Sequence, residues 1–397
     1  MKDKEISRLL GLEKARQKKV INLIASENYV SSDVRFTLAS EFVNKYAEGY
    51  PGKRYYGGNE YVDELETLCM NRARSVFGLS ESEWGVNVQA LSGSPANVAV
   101  YTALVPYREK IMGLSLDHGG HLTHGHAVSV TGKWWKQIPF FVDLVTERLH
   151  YEAIRQIALK EKPALIVVGF TAYSRVVDWK KIREIATEVG ALMHVDMSHL
   201  AGLVAGGVYP SPFAYADTVM TTTHKTLRGP RSALIFSRKD ERKLNEKIDK
   251  AVFPGLQGGP HINQIAAVAV ALQEALEPFF KSYAKQVIRN AEILAKELSS
   301  LGWRIVSGGT DSHLFLLDTW REGKGISGGE ASDVLEKAGI IVNKNTIPGD
   351  TRSPKDPSGI RIGAAAETTR GKKEKDMKII ARKIDEALKK AMASKNA

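Results

Sequence analysis

Short apolar runs alternate with helix-period stretches from about residue 64 to residue 240. WGVNVQAL (84–91), KIMGLSL (110–116), ALIVVGF (164–170), ALMHVD (191–196), TVMTTT (218–223) and SALIFS (232–237) read as strands. Between them, ELETLCMNRARSVFG (64–78), PANVAVYTALV (95–105) and DWKKIREIATEVG (178–190) repeat apolar residues at helical spacing, the last closed by Gly190. Such alternation predicts an α/β fold with a mostly parallel sheet, whose ligands sit at the carboxyl ends of the strands.

A long helical pattern then covers roughly 261–300, from HINQIAAVAVALQEAL to AKELSSLG. After it the rhythm changes. WRIVSGG, HLFLLDT, IIVNK and GIRIG predict short strands, with helices near 328–338 and 372–392, which together make a smaller α+β domain. The expected division is an N-terminal arm (1–45), a large α/β domain (46–270) and a small C-terminal α+β domain (271–397). A chain of 397 residues has room for about two domains and a large core.

Composition removes several classes. The hydrophobic fraction of 43% and charged fraction of 25% are those of an ordinary globular protein, and no apolar run is long enough to span a bilayer. The opening MKDKEISRLLGLEKARQKK has no apolar signal core and carries acids, so a cytoplasmic location is expected. One cysteine, Cys69, excludes an intrachain disulfide and suits a reducing compartment. The net charge of +11 permits nucleic-acid or anion binding, but the late lysines lie among acids at helical spacing, as on a solvated face. General solubility, or an anionic small substrate, is therefore expected, and neither nucleic acid nor membrane.

Five segments carry chemistry. VMTTTHKTLRGPR (219–231) delivers Lys225 from a strand, behind His224 and ahead of a Gly229-Pro230 break. Alone it leaves open a Schiff-base lysine with a lowered pKa or a surface lysine in a turn. SGSPAN (92–97) follows a strand and opens a helix; its hydroxyls and free N–H groups make either a phosphate cradle or a plain capping turn. HVDMSHL (194–200) ends a strand in Asp196, which holds a cationic ring nitrogen or caps a helix. HGGHLTHGH (118–126) raises a metal reading, yet its spacing suits no helix face and no cysteine or carboxylate set completes it; a loop histidine stacked on a flat cofactor is the alternative. In SGIRIG (358–363), Arg361 alternates with Ile360 and Ile362 and either clamps a carboxylate or faces solvent. A sixth stretch, YAEGYPGKRYYGGNEYVD (46–63), crowds tyrosines into a Gly/Pro-rich loop of the kind that forms binding surfaces or subunit contacts. Together they make a set that pyridoxal phosphate needs when it acts on an amino acid.

The chain resembles the serine hydroxymethyltransferases essentially end to end. The resemblance rests on LIASENY (23–29), NKYAEGYPGKRYYGG (44–58), SGSPAN, GGHLTHG (119–125), DMSH (196–199), TTTHKTLRGPR (221–231), FPGLQGGPH (253–261), SGGTDSHLFLLD (307–318), VNKN (342–345) and SGIRIG. It implies a fold-type-I pyridoxal-phosphate transferase, active as a homodimer or a dimer of dimers, that converts L-serine and a tetrahydropterin, usually tetrahydrofolate, to glycine and the methylene-pterin. By motif match, Lys225 would carry the cofactor covalently, with His224 linked to reaction specificity. Asp196 would pair with the pyridine nitrogen, His121 would stack on the ring, His199 would contact the ring hydroxyl region, and Thr171 would be a further cofactor-binding residue. Ser92, Gly93 and Ser94 would hold the phosphate, joined by Gly258 and Gly259 from a partner subunit. Ser26 and Arg361 would bind the substrate carboxylate. Tyr46, Glu48 and Tyr56 would enter across the dimer interface, with Glu48 handling protons. Leu116, Gly120, His121, Leu122 and Asn345 would contact the pterin. No metal is implied.

Three departures stand out. Thr171 replaces a usual serine, and Ser198 a usual alanine. On the pterin side, SPKDPSG (353–359) places Lys355 where the family usually carries Phe, and GAAAETTRG (363–371) replaces GTPAxTxRG. The pterin pattern keeps a pterin-free, threonine-type aldolase in play, and the charge a nucleic-acid binder that has lost activity. Lys355 is expected to favour either a polyglutamate tail on the pterin or a different one-carbon carrier, and the first is directly testable. Lys355→Phe should then lose preference for polyglutamylated over monoglutamylated folate in steady-state assays; unchanged selectivity contradicts that role.

Overall fold

The computed structural model describes residues 2–396. Its central sheet has seven strands: β1 (Trp84–Asn87), β2 (Lys110–Leu114), β3 (Lys136–Phe140), β4 (Leu165–Val168), β5 (Leu192–Asp196), β6 (Thr218–Thr222) and β7 (Ala233–Arg238). They lie in the order β1–β7–β6–β5–β4–β2–β3, and β7 alone runs against its neighbours. The aliphatic run LIVV of β4 is buried at every position, as a strand covered on both faces requires. β3 escaped the sequence pattern. Its KQIPF alternates in burial and contains Pro139, which a sheet tolerates at its edge, where β3 lies.

Helices α2 (Glu60–Val76), α3 (Gly93–Leu104), α4 (Tyr151–Glu161) and α5 (Trp179–Val189) belong to this layer; α1 (Lys4–Lys19) precedes them and buries none of its residues. Asp178 caps α5 by accepting from the Lys181 N–H, and Gly190 ends it at φ 71°, a conformation glycine adopts without strain. α1 and α4 were not anticipated, and the predicted strand at 84–91 is regular only to Asn87.

The continuous helix expected over 261–300 is two helices, α6 (Ile262–Leu276) and α7 (Pro278–Ser300). Pro278 forces the break: Glu277 before it is extended, at φ −74° and ψ 147°, because the proline ring excludes the helical region for its predecessor. α6 packs on α2. Phe280, Tyr283, Ala284 and Val287 of α7 join the large core, whereas Leu294, Ala295 and Leu298 join a second core with Leu317, Ile360, Met377 and Ile384.

The second core lies under an antiparallel sheet of β8 (Arg304–Ile305), β9 (Leu314–Asp318), β11 (Gly359–Gly363) and β10 (Asn343–Asn345), in that order, with α8 (Gly328–Lys337) and α9 (Glu374–Asn396). WRIVSGG yields only the two residues of β8, since Ser307, Gly308 and Gly309 all turn with positive φ. Ile21–Asn22 pairs with Ile340–Ile341, which anchors the N-terminal segment and carries Ser26 to the junction of the two sheets.

Behind the Lys225 loop, the short helix Ala201–Ala205 packs through Gly202, where an added Cβ would lie 2.2 Å from the Thr226 carbonyl oxygen. That neighbour is backbone and cannot rotate away. Gly202→Ala should destabilise the fold by about 1–3 kcal/mol in chemical denaturation, through overpacking next to Lys225.

Candidate active site

β6 ends at Thr222, and the chain turns to present Lys225 at the carboxyl edge of the sheet. The turn is closed by the Gly229 N–H donating to the Thr223 carbonyl at 2.7 Å and by the Thr223 hydroxyl donating to the Pro230 carbonyl at 2.6 Å. Lys225 points into a cavity of about 330 Å3, where Nζ donates to the Thr222 hydroxyl at 2.9 Å. Burial drives its pKa down to about 8; Asp196 opposes the fall, while Arg361 and Arg231 add to it. The surface-lysine reading is thereby excluded.

Asp196 terminates β5 across the cavity. Its Oδ2 accepts from Asn97 Nδ2 at 3.0 Å and His124 Nε2 at 3.2 Å, and its Oδ1 from the Ser198 N–H at 3.1 Å. Burial alone would raise its pKa, but the hydrogen bond and charge of His124, with His121 and Lys225, hold it well below the usual carboxylate range. It is therefore a fixed anion. Burial pushes His121 to about 4 and His224 to about 3, so both rings are neutral. His121 Nδ1 pairs with the Thr123 hydroxyl at 2.7 Å, which also accepts from Asn97 Nδ2 at 2.9 Å.

Ser92, Gly93 and Ser94 line the other end of the cavity, at the start of α3. Ser92 is the N-cap residue, yet its side chain makes no capping bond, so its hydroxyl is free for a ligand. A Cβ on Gly93 would fall 2.7 Å from Thr222 Cγ2, so the backbone there sits against β6 beside the lysine's own partner. Arg361, on β11, reaches over from the small sheet: its Nη1 donates to the Thr171 carbonyl at 2.7 Å and its Nε to Asn343 Oδ1 at 3.0 Å, and burial lowers it to about 10. Ser26, Thr171 and His199 also line the cavity, and Arg361 stands just outside that lining, bonded to Thr171. An amine of lowered pKa, a fixed carboxylate, a flat neutral imidazole and an uncommitted helix start in one cavity fit pyridoxal phosphate, and the volume suits a small cofactor.

The structure separates a second group from this cavity. The Tyr56 hydroxyl donates to Glu48 Oε2 at 2.8 Å, the Tyr46 hydroxyl faces Glu48 Oε1 at 3.4 Å, and the two tyrosine rings meet edge to face. Gly258 and Gly259 pack against the same Tyr46 and Glu48. None of these five lines the lysine cavity. Of the pterin set, His121 alone lines it; Leu116, Gly120 and Leu122 follow β2, and Asn345 ends β10.

The departures have structural roles. The Ser198 hydroxyl accepts from the Thr222 N–H at 3.0 Å, which ties β5 to β6 under the lysine. The Thr171 hydroxyl donates to the Gly120 carbonyl at 2.7 Å. Lys355 is exposed, and its carbonyl accepts from Lys344 Nζ at 2.5 Å. The four histidines of 118–126 diverge: His118 meets Phe141 and accepts from the Val142 N–H, His121 lines the cavity, His124 binds Asp196, and His126 accepts within its own turn. Sequence reasoning missed the roles of Asn97, His124, Arg231 and His313. SGSPAN did contain Asn97, three residues beyond Ser94 on the same helix and buried against Asp196.

The family model described as serine hydroxymethyltransferase matches residues 1–384. The chain is 50% identical to a serine hydroxymethyltransferase of Koribacter versatilis, over 98% of this chain and 89% of that protein. It is 48% identical to a cytosolic serine hydroxymethyltransferase of Candida glabrata, covering 98% and 86% respectively. A Caenorhabditis briggsae serine hydroxymethyltransferase is 47% identical, with 97% and 78% covered.

The Lys225 amine should react with an acylating reagent, in protein freed of cofactor, with a pH midpoint near 8, read by peptide mass spectrometry. Since the Asp196 anion raises the lysine's pKa, Asp196→Asn should move that midpoint lower. A midpoint at the ordinary lysine value of 10.5 would contradict the burial argument.

Proposed function

The chain belongs to the serine hydroxymethyltransferase family, and we propose on that footing which of its side chains carry the reaction. It is a pyridoxal-phosphate-dependent transferase that interconverts L-serine plus tetrahydrofolate and glycine plus 5,10-methylenetetrahydrofolate. When bound, pyridoxal phosphate supplies a protonated pyridine ring that withdraws electrons as the Cα–Cβ bond of serine breaks.

Lys225 would hold the cofactor's aldehyde carbon; with a pKa near 8, a useful fraction of its amine is neutral and nucleophilic around neutrality. Asp196, kept ionised by Asn97, His124 and the Ser198 N–H, would hold the proton on the pyridine nitrogen. Ser92, Gly93 and Ser94 would bind the phosphate, His121 would stack its neutral ring on the cofactor, and His199 and Thr171 would bound the ring's hydroxyl side. Ser26 and Arg361 would fix the serine carboxylate, a positioning effect that aligns the breaking bond. His224, neutral and half-buried beside Lys225, adds no charge there. Leu116, Gly120, Leu122 and Asn345, with His121, would contact the pterin. The observation that carries this reading is the shared cavity of Lys225, Asp196 and the Ser92–Ser94 helix start.

A second copy of the chain would complete the site. Tyr46, Glu48, Tyr56, Gly258 and Gly259 form one prebuilt cluster outside the chain's own cavity, and Glu48 there would move protons at the hydroxymethyl group. Exposed apolar side chains favour the same arrangement: Ile6, Leu9 and Leu10 on α1, then Phe36 and Tyr55. A cytoplasmic location accords with the cytosolic relative, and no helix among the described residues is long and apolar enough to cross a membrane. The division into arm (1–45), large domain (46–270) and small domain (271–397) draws support from the two cores, with α7 shared between them.

Lys225→Ala should keep the fold, retain cofactor through the phosphate cradle and lose serine turnover by about 10³-fold or more. Arg361→Leu should raise KM for serine about 100-fold, for loss of charge-assisted hydrogen bonds to the carboxylate. The shared site has its own test. Lys225→Ala and Glu48→Gln chains, each inactive alone, should regain roughly a quarter of wild-type activity when dissociated and reassociated together, because half the dimers are mixed and each has one intact site. No recovery would contradict sharing.

A further inference from the structure

His199 and His313 form a buried pair that the mechanism above does not use in full. His199 follows β5 of the large sheet, and His313 immediately precedes β9 of the small one. Their rings stack at an interplanar angle of 29°, and His199 Nδ1 lies 3.1 Å from His313 Nε2. Exactly one of these two nitrogens must carry the proton between them.

The surroundings decide which. Burial dominates at both rings; Lys225 and Arg361 face both, and Asp196 faces His199. Two cations nearby and one anion keep both imidazoles neutral, so each ring has a single proton. His313 Nδ1 is buried without a well-formed partner, and the main chain of Ala25 acts on that ring to raise its proton affinity, as a facing carbonyl oxygen does. A bare lone pair at Nδ1 would oppose that oxygen, whereas an N–H there is attracted to it. His313 therefore keeps its proton on Nδ1 and offers Nε2 as an acceptor. His199 must then donate from Nδ1, and its own Nε2 is left deprotonated at the cavity wall that His199 lines.

We propose that His313 is a positioning residue, which fixes His199 as the Nδ1–H tautomer so that a bare Nε2 faces the cavity as a hydrogen-bond acceptor. Such a nitrogen accepts from a hydroxyl and repels anionic oxygens. It selects the hydroxyl-bearing side of an aromatic ligand for this wall and leaves the phosphate to the opposite end at Ser92–Ser94. The assignment of that ligand as pyridoxal phosphate rests on the function proposed above; the tautomer does not.

The test is long-range proton–nitrogen correlation spectroscopy on the full chain labelled with nitrogen-15 histidine, with and without pyridoxal phosphate. Both His199 and His313 should carry their proton on Nδ1 and should not titrate between about pH 6 and 9. Protonation of His199 at Nε2, or titration of either ring in that range, overturns the proposal. His313→Gln, whose side-chain carbonyl can still accept, should keep the His199 tautomer. His313→Leu, which cannot, should mix the tautomers and move the pH midpoint of the bound cofactor's absorption by about one unit. Wild-type tautomer and midpoint in His313→Leu also overturn it. Should that variant not fold, the wild-type and Gln spectra decide alone. A normal tautomer with no cofactor band would refute the cofactor reading and leave the proposal about His313 intact.

Discussion

Everything at this site depends on holding the Lys225 amine and the Asp196 carboxylate in one cavity without letting them collapse onto each other. An isolated ion there would be costly, and a direct pair would neutralise both. The fold avoids both outcomes by giving each group other partners. Thr222 takes the amine, and Asn97, His124 and the Ser198 amide take the carboxylate. Each group feels the other through space, which moderates the fall in the lysine's pKa and deepens that of the acid. Adjacent parallel strands, β5 and β6, set the separation, and the Ser198–Thr222 hydrogen bond fixes it locally.

That arrangement explains how far the sequence could be read. Strands such as LIVV in β4 and the Gly190 stop were legible because burial on both faces and a left-handed residue leave local marks. β3 left a weak mark, since an edge strand with a proline alternates only partly. The break between α6 and α7 was written in Pro278, but the apolar spacing on either side of it runs on in register and masked it. Among site residues, those that begin, end or closely follow an element (Ser92, Asp196, Lys225) were visible from position. Their individual roles came with the family resemblance, and for Ser92 the structure adds a free hydroxyl where local preference alone favoured a cap. His124 and His313 were not readable, because what they do is defined by a partner 72 residues away in one case and 114 in the other.

The two sheets meet at the site through polar contacts. Arg361 from the small sheet holds the Thr171 carbonyl, and His313 holds His199. The side chains in and around the cavity therefore come from elements of different cores, and their alignment rests on a few hydrogen bonds and on the N-terminal segment that brings in Ser26. Asn28 adds to that alignment, as its side-chain amide donates to both the Lys225 carbonyl and the Tyr283 hydroxyl.

α7 bears on the same alignment in another way. Its first turns are buried in one core and its later turns in the other. Neither core can melt without stripping cover from half of this helix, and a half-covered helix is a poor stopping point because helix formation is itself cooperative. The two cores are thus joined as one cooperative unit, and partial opening that would pull Arg361 away from Lys225 is disfavoured by the same continuous backbone that separates the sheets.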